Sequence, residues 1–209
     1  MGHYSLAQYV AVVAFRWRIG PNAVTVISAI VSAAALFILL LAPRTVLVGV
    51  CVAILLALGY LLDSTDGQVA RLSRRSSPAG EWLDHVVDAM RMPLVHLCTL
   101  IALFIDGVDE WNMTIPIAYA VVTTGQFFSQ VLAEQLLKSE TKHVPPKNQS
   151  LFLLPTDTGI LCWLYVLWGF KQVFIGAYLL LFVLNLVHAA ISMRRRFRQL
   201  NAKSARESI

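Results

Sequence analysis

Long apolar stretches separated by short polar segments set the pattern of this 209-residue chain. Residues 22–42 contain no charged side chain, and neither do residues 45–62. An α-helix needs about 20 mostly apolar residues to cross a bilayer. The six predicted spans are Asn22–Ala42, Thr45–Leu62, Trp82–Ile105, Asn112–Ala133, Leu151–Trp168 and Gln172–Met193. The pattern therefore predicts an all-α membrane protein whose six transmembrane helices form a single domain.

The residues before the first span follow an amphipathic pattern instead. Apolar side chains recur at helical spacing within residues 4–18, and Arg16-Trp17-Arg18 supplies basic and aromatic anchors. This predicts an interfacial helix that lies along the membrane surface. Gly20-Pro21 should end that helix, and Asn22 is expected to cap the first span. The predicted segments are an interfacial helix at 1–20, a six-helix bundle at 21–193 and a basic cytoplasmic tail at 194–209.

Composition and charge agree with a membrane protein. The chain is 57% hydrophobic and only 14% charged, which excludes an ordinary soluble domain. With the N-terminus in the cytoplasm, fourteen of the 17 lysines and arginines fall in cytoplasmic segments. This positive-inside bias predicts a cell-membrane protein with both termini in the cytoplasm. The net charge of +5 is then explained by topology and by anionic lipid, without a nucleic-acid partner. No cleavable signal peptide is expected.

Four aspartates lie inside predicted spans, where an ionised carboxylate is costly and therefore indicates function. Asp63 and Asp66 fall in the last turns of the second span, and Asp84 and Asp88 in the first turns of the third. Helical spacing of three or four places each pair on one helix face. Antiparallel neighbours would bring all four to a common depth. Four carboxylates need compensating cations, and oxygen-only ligands suit Mg²⁺, with Mn²⁺ as an alternative.

Small residues and one arginine accompany these acids. Gly67, Ala70 and Gly80 leave room for a close helix or a ligand, and Arg71 on the same face can hold a phosphate with its fork of donors. Two structural interpretations remain open from the residues alone. The acids could form a protonated or ion-paired network, and the small residues could serve ordinary helix packing.

The acid pattern resembles the signature of the CDP-alcohol phosphotransferases. It reads Asp63-Ser-Thr-Asp66-Gly67-Gln-Val-Ala70-Arg71, then eight residues, Gly80, three residues, Asp84, three residues and Asp88. All eight fixed positions match at the spacing of the family. The six-span layout and the run Pro21-Asn22-Ala-Val-Thr25 are also similar to prokaryotic members. The resemblance extends over nearly the whole chain, but only the aspartate pattern is specific.

This resemblance implies an enzyme with a cytoplasm-facing cavity in which CDP lies across the second and third helices. By analogy, two Mg²⁺ ions would be bound by Asp63, Asp66 and Asp84, with Asp88 as a further ligand and as the catalytic base. The remaining implied contacts are Gly67 and Arg71 at the pyrophosphate, and Asn22, Thr25 and Ser77 near the nucleotide. Family members are often homodimers, so a second copy of the chain is a possible partner.

The implied reaction belongs to phospholipid biosynthesis. An acceptor hydroxyl attacks the β-phosphorus of a CDP-linked donor in line and releases CMP, while Asp88 takes the proton. Prokaryotic relatives of this size commonly use CDP-diacylglycerol, which makes the chain a phosphatidyltransferase. The alternative reverses the partners, so that a CDP-linked small alcohol donates its phosphoalcohol head group to a lipid hydroxyl.

The identity of the acceptor stays open. Resembling enzymes that use a phosphorylated polyol usually carry arginines early in the fifth span, whereas this chain reads Leu151-Phe-Leu-Leu-Pro-Thr-Asp157-Thr-Gly. Asp157 and Glu134 should lie near the depth of the catalytic acids. They could repel a phosphate, recognise hydroxyls or an amine, or pair with nearby lysines. The sequence therefore weighs against a polyol-phosphate acceptor without excluding it.

Two other functions could also place acids on membrane helices. A prenyltransferase binds Mg²⁺-pyrophosphate through aspartates, but its acidic motifs have a different spacing. An ion transporter would place its acids near the bilayer midplane and not at one surface. Both interpretations are less favoured than the transferase.

Overall fold

The computed structural model describes residues 6–137 and 158–207, which are helical apart from short connections. No strand occurs among these residues. The helices are α1 (Leu6–Arg16), α2 (Pro21–Leu41), α3 (Val46–Ser73), α4 (Pro78–Ile105), α5 (Glu110–Leu137), α6 (Thr158–Leu164), a 3₁₀ helix (Tyr165–Gly169) and α7 (Lys171–Glu207). The all-α prediction is confirmed.

Five of these helices are long and apolar enough to cross a membrane, namely α2, α3, α4, α5 and the part of α7 from Lys171 to Lys203. The segment Thr158–Gly169 is apolar but too short by itself. The predicted fifth span begins at Leu151, outside the described residues, so the count of six spans stays a prediction. The helix predicted near residues 4–18 is present as α1, while its position at a membrane surface also remains a prediction.

Two predicted boundaries differ from the structure. Gly20 is the N-cap residue of α2 and Pro21 is its first residue, so Asn22 lies in the first turn and does not cap the helix. Proline at the first helical position explains the early start. The basic tail predicted from residue 194 instead continues α7 to Glu207. That segment is rich in residues with high helix propensity, such as Arg, Gln, Ala and Lys.

The connection between α3 and α4 is very short and determines the geometry of the acids. Arg74 ends α3 with a left-handed φ of 54°, and its N–H donates to the last carbonyls of the helix. Ser77 caps α4 by accepting a hydrogen bond from the N–H of Gly80 at 3.1 Å. Only residues 74–77 separate the two helices. The C-terminal turns of α3 therefore lie beside the N-terminal turns of α4.

Helix α3 is the centre of the bundle. It packs closely against α2, and a side chain at Gly59 would overlap Ser32 of α2. The core beside it includes Leu39, Val52 and Trp168, all at most 2% exposed. Large apolar side chains on the outer faces of the helices remain exposed, as expected where lipid replaces water.

A charged clamp closes the end of the bundle opposite the acids. Arg44, between α2 and α3, forms an ion pair with Asp106 and donates to the carbonyl oxygen of Trp168 at 2.7 Å. Its guanidinium carbon lies 3.6 Å from the centre of the Trp168 ring. Lys171 donates to the carbonyl oxygen of Asp106 at 2.9 Å. These contacts join three interhelical connections and hold the helix ends in register.

Candidate active site

The antiparallel ends of α3 and α4 bring three of the predicted acids together. One carboxylate oxygen from each of Asp63, Asp66 and Asp84 lies within 4.8 Å of the other two. Asp66 is only 6% exposed, while Asp63 and Asp84 are partly buried. The two helices thus bring three of the four acids close together, while their depth in a membrane stays a prediction.

Asp66 is held in place from two sides. The hydroxyl of Thr25 on α2 donates to Oδ2 of Asp66 at 2.5 Å. The backbone N–H of Gly67 lies 2.5 Å from Oδ1 of the same carboxylate. Hydrogen bonds of this kind favour an ionised, oriented carboxylate. Thr25, which was expected near a nucleotide, therefore also orients one of the acids.

Asp88 lies one turn further along α4 and faces a different partner. Its Oδ1 is 3.6 Å from Nη1 of Arg91, whose Nη2 donates to Oδ1 of Asp63 at 2.7 Å. The same Nη2 also lies 3.0 Å from Oγ of Ser28 on α2. Arg91 thus pairs with two of the four acids, a contact that the sequence alone could not distinguish from contact with a substrate.

A cavity of about 420 Å³ opens directly beside Asp66 and Asp84. It lies between the start of α2, the end of α3 and the start of α4. All five residues predicted to contact the nucleotide or its pyrophosphate line this cavity, namely Asn22, Thr25, Gly67, Arg71 and Ser77. These five residues, separated by up to 55 positions in the sequence, therefore line the same cavity as two of the acids.

The two glycines of the acid pattern serve different purposes. A Cβ at Gly80 would lie 3.0 Å from Oδ1 of Asn22 and 3.3 Å from Oγ of Ser77, so these two side chains would have to shift slightly to accept it. A Cβ at Gly67 would meet only Nη1 of Arg71, at 3.8 Å. Gly80 thus lies in the tighter packing environment, whereas the space at Gly67 is open cavity and is available to a ligand.

The comparison with known families agrees with this geometry. The sequence profile of the CDP-alcohol phosphatidyltransferase family matches residues 18–192, which is most of the chain. The chain belongs to the CDP-alcohol phosphatidyltransferase family. The resemblance drawn from the aspartate pattern is therefore confirmed.

An individual relative is similar over a shorter stretch. Archaetidylinositol phosphate synthase of Aeropyrum pernix is 39% identical over 83 residues, which cover 39% of this chain and 40% of that protein. The chain therefore matches less than half the length of this relative. The likeness agrees with the family assignment, while the donor and the acceptor of this chain require separate argument.

The acid cluster fits the divalent metal ions on which this family generally depends. Its ligand atoms are all carboxylate oxygens, the donors that Mg²⁺ and Mn²⁺ prefer and zinc does not. Three such oxygens within 4.8 Å of one another are close enough to share an ion. Among the described residues, Asp63, Asp66 and Asp84 are therefore the group that could hold metal. Asp88 lies near them and shares Arg91 as an ion-pair partner with Asp63.

A second cavity, of about 220 Å³, lies on the other side of the acids. Asp63, Asp88 and Arg91 form its edge nearest the acids, and α5 contributes a polar wall of Thr123, Gln126 and Gln130. Those three α5 residues are spaced by three and four, so one helix face presents them all. The sequence analysis did not predict this polar wall. The spacing of the three residues is the signal that could have identified it.

The deeper part of this second cavity is also polar. His96, Tyr119 and Asn185 line it, and Asn185 donates to the hydroxyl of Tyr119 at 2.9 Å. His96 is 1% exposed, and its Nδ1 lies 2.5 Å from the hydroxyl of Tyr178. Two hydrogen-bonded pairs, Asn185–Tyr119 and His96–Tyr178, thus lie beside the cavity, and the rings of His96 and Tyr119 stack with their centroids 4.1 Å apart.

A third space is an apolar groove of about 370 Å³ between α2 and α4. It begins with Ala29, one turn after Thr25, and continues past Leu36 and Leu94 towards the middle of the helices. The stem of Arg91 borders the groove where it meets the acids. The same pair of helices therefore carries a polar cavity at its end and an apolar groove along its length.

Of the two acids that were expected to influence acceptor choice, the structure describes one. Glu134 is exposed on α5 and accepts a hydrogen bond from Nε2 of Gln130 at 3.1 Å. Nη2 of Arg196 donates to the amide oxygen of the same Gln130 at 3.1 Å. Glu134 is thus linked to the second cavity through Gln130. Asp157 lies outside the described residues, so its predicted depth stays a prediction.

Proposed function

We propose that this chain transfers a phosphatidyl group from CDP-diacylglycerol to the hydroxyl of a small acceptor alcohol and releases CMP. The observation that carries the proposal is the arrangement of three spaces around one acid cluster. Asp66 and Asp84 line the first polar cavity. Asp63, Asp88 and Arg91 line the second polar cavity, and Arg91 also borders the apolar groove. Donor head group, donor lipid chains and acceptor each have a space of suitable chemistry.

The cytidine diphosphate would occupy the 420 Å³ cavity. Gly67 leaves room for a phosphate against the backbone of α3, and Arg71 at the rim offers a guanidinium to its oxygens. Asn22, Thr25 and Ser77 line the walls and can contact the nucleotide through hydrogen bonds. The five residues therefore bind and orient the donor without taking part in bond exchange.

The apolar groove favours a lipid as the donor. It lies between α2 and α4, which also form two walls of the nucleotide cavity. A CDP-lipid can place its head group in the cavity and an acyl chain along Ala33, Leu36 and Leu94, where burial of apolar surface favours binding. The second cavity shares α4 but not α2, and its polar lining suits a small alcohol. This arrangement favours CDP-diacylglycerol over a CDP-linked small alcohol.

The chemistry centres on Asp88, which faces the second cavity. An acceptor hydroxyl bound there attacks the β-phosphorus in line, forming a new P–O bond as the bond to the bridging oxygen breaks and CMP leaves. Asp88 accepts the hydroxyl proton. Two Mg²⁺ ions, or Mn²⁺ in their place, held by Asp63, Asp66 and Asp84 with Asp88 as a further ligand, would supply charge neutralisation for the pyrophosphate and the leaving group.

The acids and both chain termini would face the cytoplasm of a cell membrane. The support is the positive-inside bias together with the basic residues near the cavity, such as Arg74 and Arg75 beside the α3–α4 turn. The released CMP would then enter the cytoplasmic nucleotide pool, while the lipid donor would reach the site from the bilayer.

Release of CMP by purified protein tests the proposal directly. The protein in detergent or lipid vesicles is incubated with Mg²⁺ and candidate alcohols, inositol phosphate included, and CMP is scored by mass. The donors are CDP-diacylglycerol, CDP-archaeol and small CDP-alcohols. CDP-archaeol is included because the Aeropyrum pernix relative is named for an archaetidyl product. Alcohol-dependent CMP release from a CDP-lipid is the expected result. Turnover of small CDP-alcohols onto lipid would instead favour the reversed reaction.

A further inference from the structure

Arg91 is the basic residue closest to the acids, and it lies outside the aspartate pattern that identifies the family. We infer that Arg91 is a positioning residue that shares Asp63 and Asp88 with a divalent cation and thereby weakens and tunes metal binding. The inference rests on the proposed metal-dependent transfer. It concerns a residue whose contacts with Asp63, Asp88 and Ser28 are all made within the described part of the chain.

The contacts of Arg91 fix its guanidinium between three helices. Nη2 reaches Oδ1 of Asp63 on α3 at 2.7 Å and Oγ of Ser28 on α2 at 3.0 Å, while Nη1 is 3.6 Å from Oδ1 of Asp88 on α4. The Arg91 side chain is 11% exposed, and those of Asp63 and Asp88 are 14% and 21% exposed. This is a mostly buried cation at a defined position, unlike a surface arginine that samples many rotamers.

Asp63 belongs to two groups at the same time. One of its oxygens lies within 4.8 Å of oxygens from Asp66 and Asp84, the set that fits a metal ion. Its Oδ1 also accepts the hydrogen bond from Arg91. A cation bound by the three acids would therefore lie close to a guanidinium that holds one of its ligands. Like charges repel more strongly in a partly buried site than in water.

This arrangement has two opposite effects. Without metal, Arg91 compensates part of the negative charge and stabilises the packed ends of α3 and α4. With metal, the same guanidinium lowers affinity because it repels the incoming cation and competes for Asp63 and Asp88. The site would then bind metal loosely enough to exchange it with solution, with the carboxylates already oriented.

Mn²⁺ binding to the purified full chain separates a charge effect from a structural one. Free Mn²⁺ is measured by electron paramagnetic resonance during titration, without substrate. Arg91→Met keeps much of the stem but removes the charge, and it should bind Mn²⁺ on the order of tenfold more tightly than the original chain. Arg91→Lys keeps the charge and should stay within about threefold of the original affinity.

Two further variants calibrate the measurement. Arg198→Met removes an exposed cation from α7, away from the acids, and should leave Mn²⁺ affinity unchanged. Asp84→Asn removes a proposed ligand and should abolish tight binding. If Arg91→Met cannot be purified, Arg91→Gln, which retains a donor for Ser28, replaces it with the same expected increase.

Thermal unfolding gives a second readout that a purely structural role would not produce. Arg91→Met should melt at a lower temperature than the original chain without metal, and saturating Mn²⁺ should raise its melting temperature by a larger increment. A structural contact alone would lower both melting temperatures equally. Unchanged or weaker Mn²⁺ binding in the neutral variants Arg91→Met and Arg91→Gln would overturn the inference. Absence of Mn²⁺ binding in the original chain would overturn both this inference and the proposed metal-dependent function.

Discussion

The hydroxyl of Thr25 on α2 donates to Oδ2 of Asp66 on α3 at 2.5 Å, deep between the two helices. Thr25 is 3% exposed and Asp66 is 6% exposed, so water does not readily replace this contact. This hydrogen bond orients one of the two acids that line the cavity proposed for the nucleotide. Loss of the Thr25 hydroxyl should therefore affect the proposed catalytic centre even if the nucleotide still binds.

We therefore expect Thr25→Val to lower the rate of CMP release by about tenfold or more. A hydrogen bond to a buried charged group contributes roughly 1.5–3 kcal/mol, and valine fills similar space without the donor. The measurement is kcat/KM for the CDP-lipid, with melting temperature recorded in parallel. Thr25→Ser, which restores the hydroxyl, should recover most of the activity. Full activity in Thr25→Val would show that the orientation of Asp66 does not depend on this bond.

A second prediction concerns the proposed metal ligands. Asp84→Asn should reduce CMP release by at least about 100-fold, because the amide carries no charge to hold a cation beside the pyrophosphate. Circular dichroism should show that the helices persist, since loss of one of several crowded carboxylates relieves repulsion. Glu110→Gln, an exposed acid at the start of α5, is the matched control and should retain normal activity. Comparable turnover in both variants would contradict the proposed role of Asp84.

The acid cluster was predictable because its determinants are local in sequence. Asp63 and Asp66, and likewise Asp84 and Asp88, are separated by three or four residues, and helical geometry alone places each pair on one face. A four-residue turn then brings the two faces together. The same locality explains why Gly67 and Arg71, on the same helix as two of the acids, line one cavity with Asp66.

Other features could not be predicted because they depend on distances between helices far apart in sequence. The second cavity combines Asp63 of α3, Gln126 of α5 and Asn185 of α7, and no local pattern specifies their contact. The pairing of Arg91 with Asp63 likewise depends on how closely α3 and α4 cross. The helical conformation of the basic tail as far as Glu207 follows from its many good helix formers, which its charge alone does not reveal.

Gly67→Ala distinguishes a ligand contact from a packing contact. A Cβ at this position would come no closer than 3.8 Å to another protein atom, the Nη1 of Arg71, so the fold can accept it. Replacing a helical glycine by alanine should raise stability by about 0.5–1 kcal/mol. KM for the CDP-lipid should nevertheless rise about tenfold, because the methyl group occupies space assigned to the pyrophosphate.

Gly176→Ala on α7 is the matched control for this substitution. A Cβ there has no heavy atom within 4 Å, and the residue lies away from the cavities. It should raise stability by a similar amount while KM stays unchanged. If Gly67→Ala also leaves KM unchanged, the pyrophosphate does not approach α3 at this point.

Gln126 tests whether the second cavity receives the acceptor alcohol. Its side chain lines the polar wall contributed by α5, opposite the edge formed by Asp63 and Asp88. In Gln126→Leu, the hydroxyl groups of the acceptor lose a hydrogen-bonding partner. Loss of one such hydrogen bond costs about 0.5–1.5 kcal/mol. KM for the acceptor should therefore rise by about threefold to tenfold, while KM for the CDP-lipid should change little because the donor lies against α2, α3 and α4.

Steady-state kinetics with each substrate varied in turn separates these two effects. Gln172→Leu, an exposed residue at the start of α7 near the opposite end of the bundle, provides the control and should change neither constant. An increase confined to the donor constant would assign the second cavity to the donor lipid and would contradict its proposed role as the acceptor site. An increase confined to the acceptor constant would place the attacking hydroxyl beside Asp88, where its proton can be accepted as the new P–O bond forms.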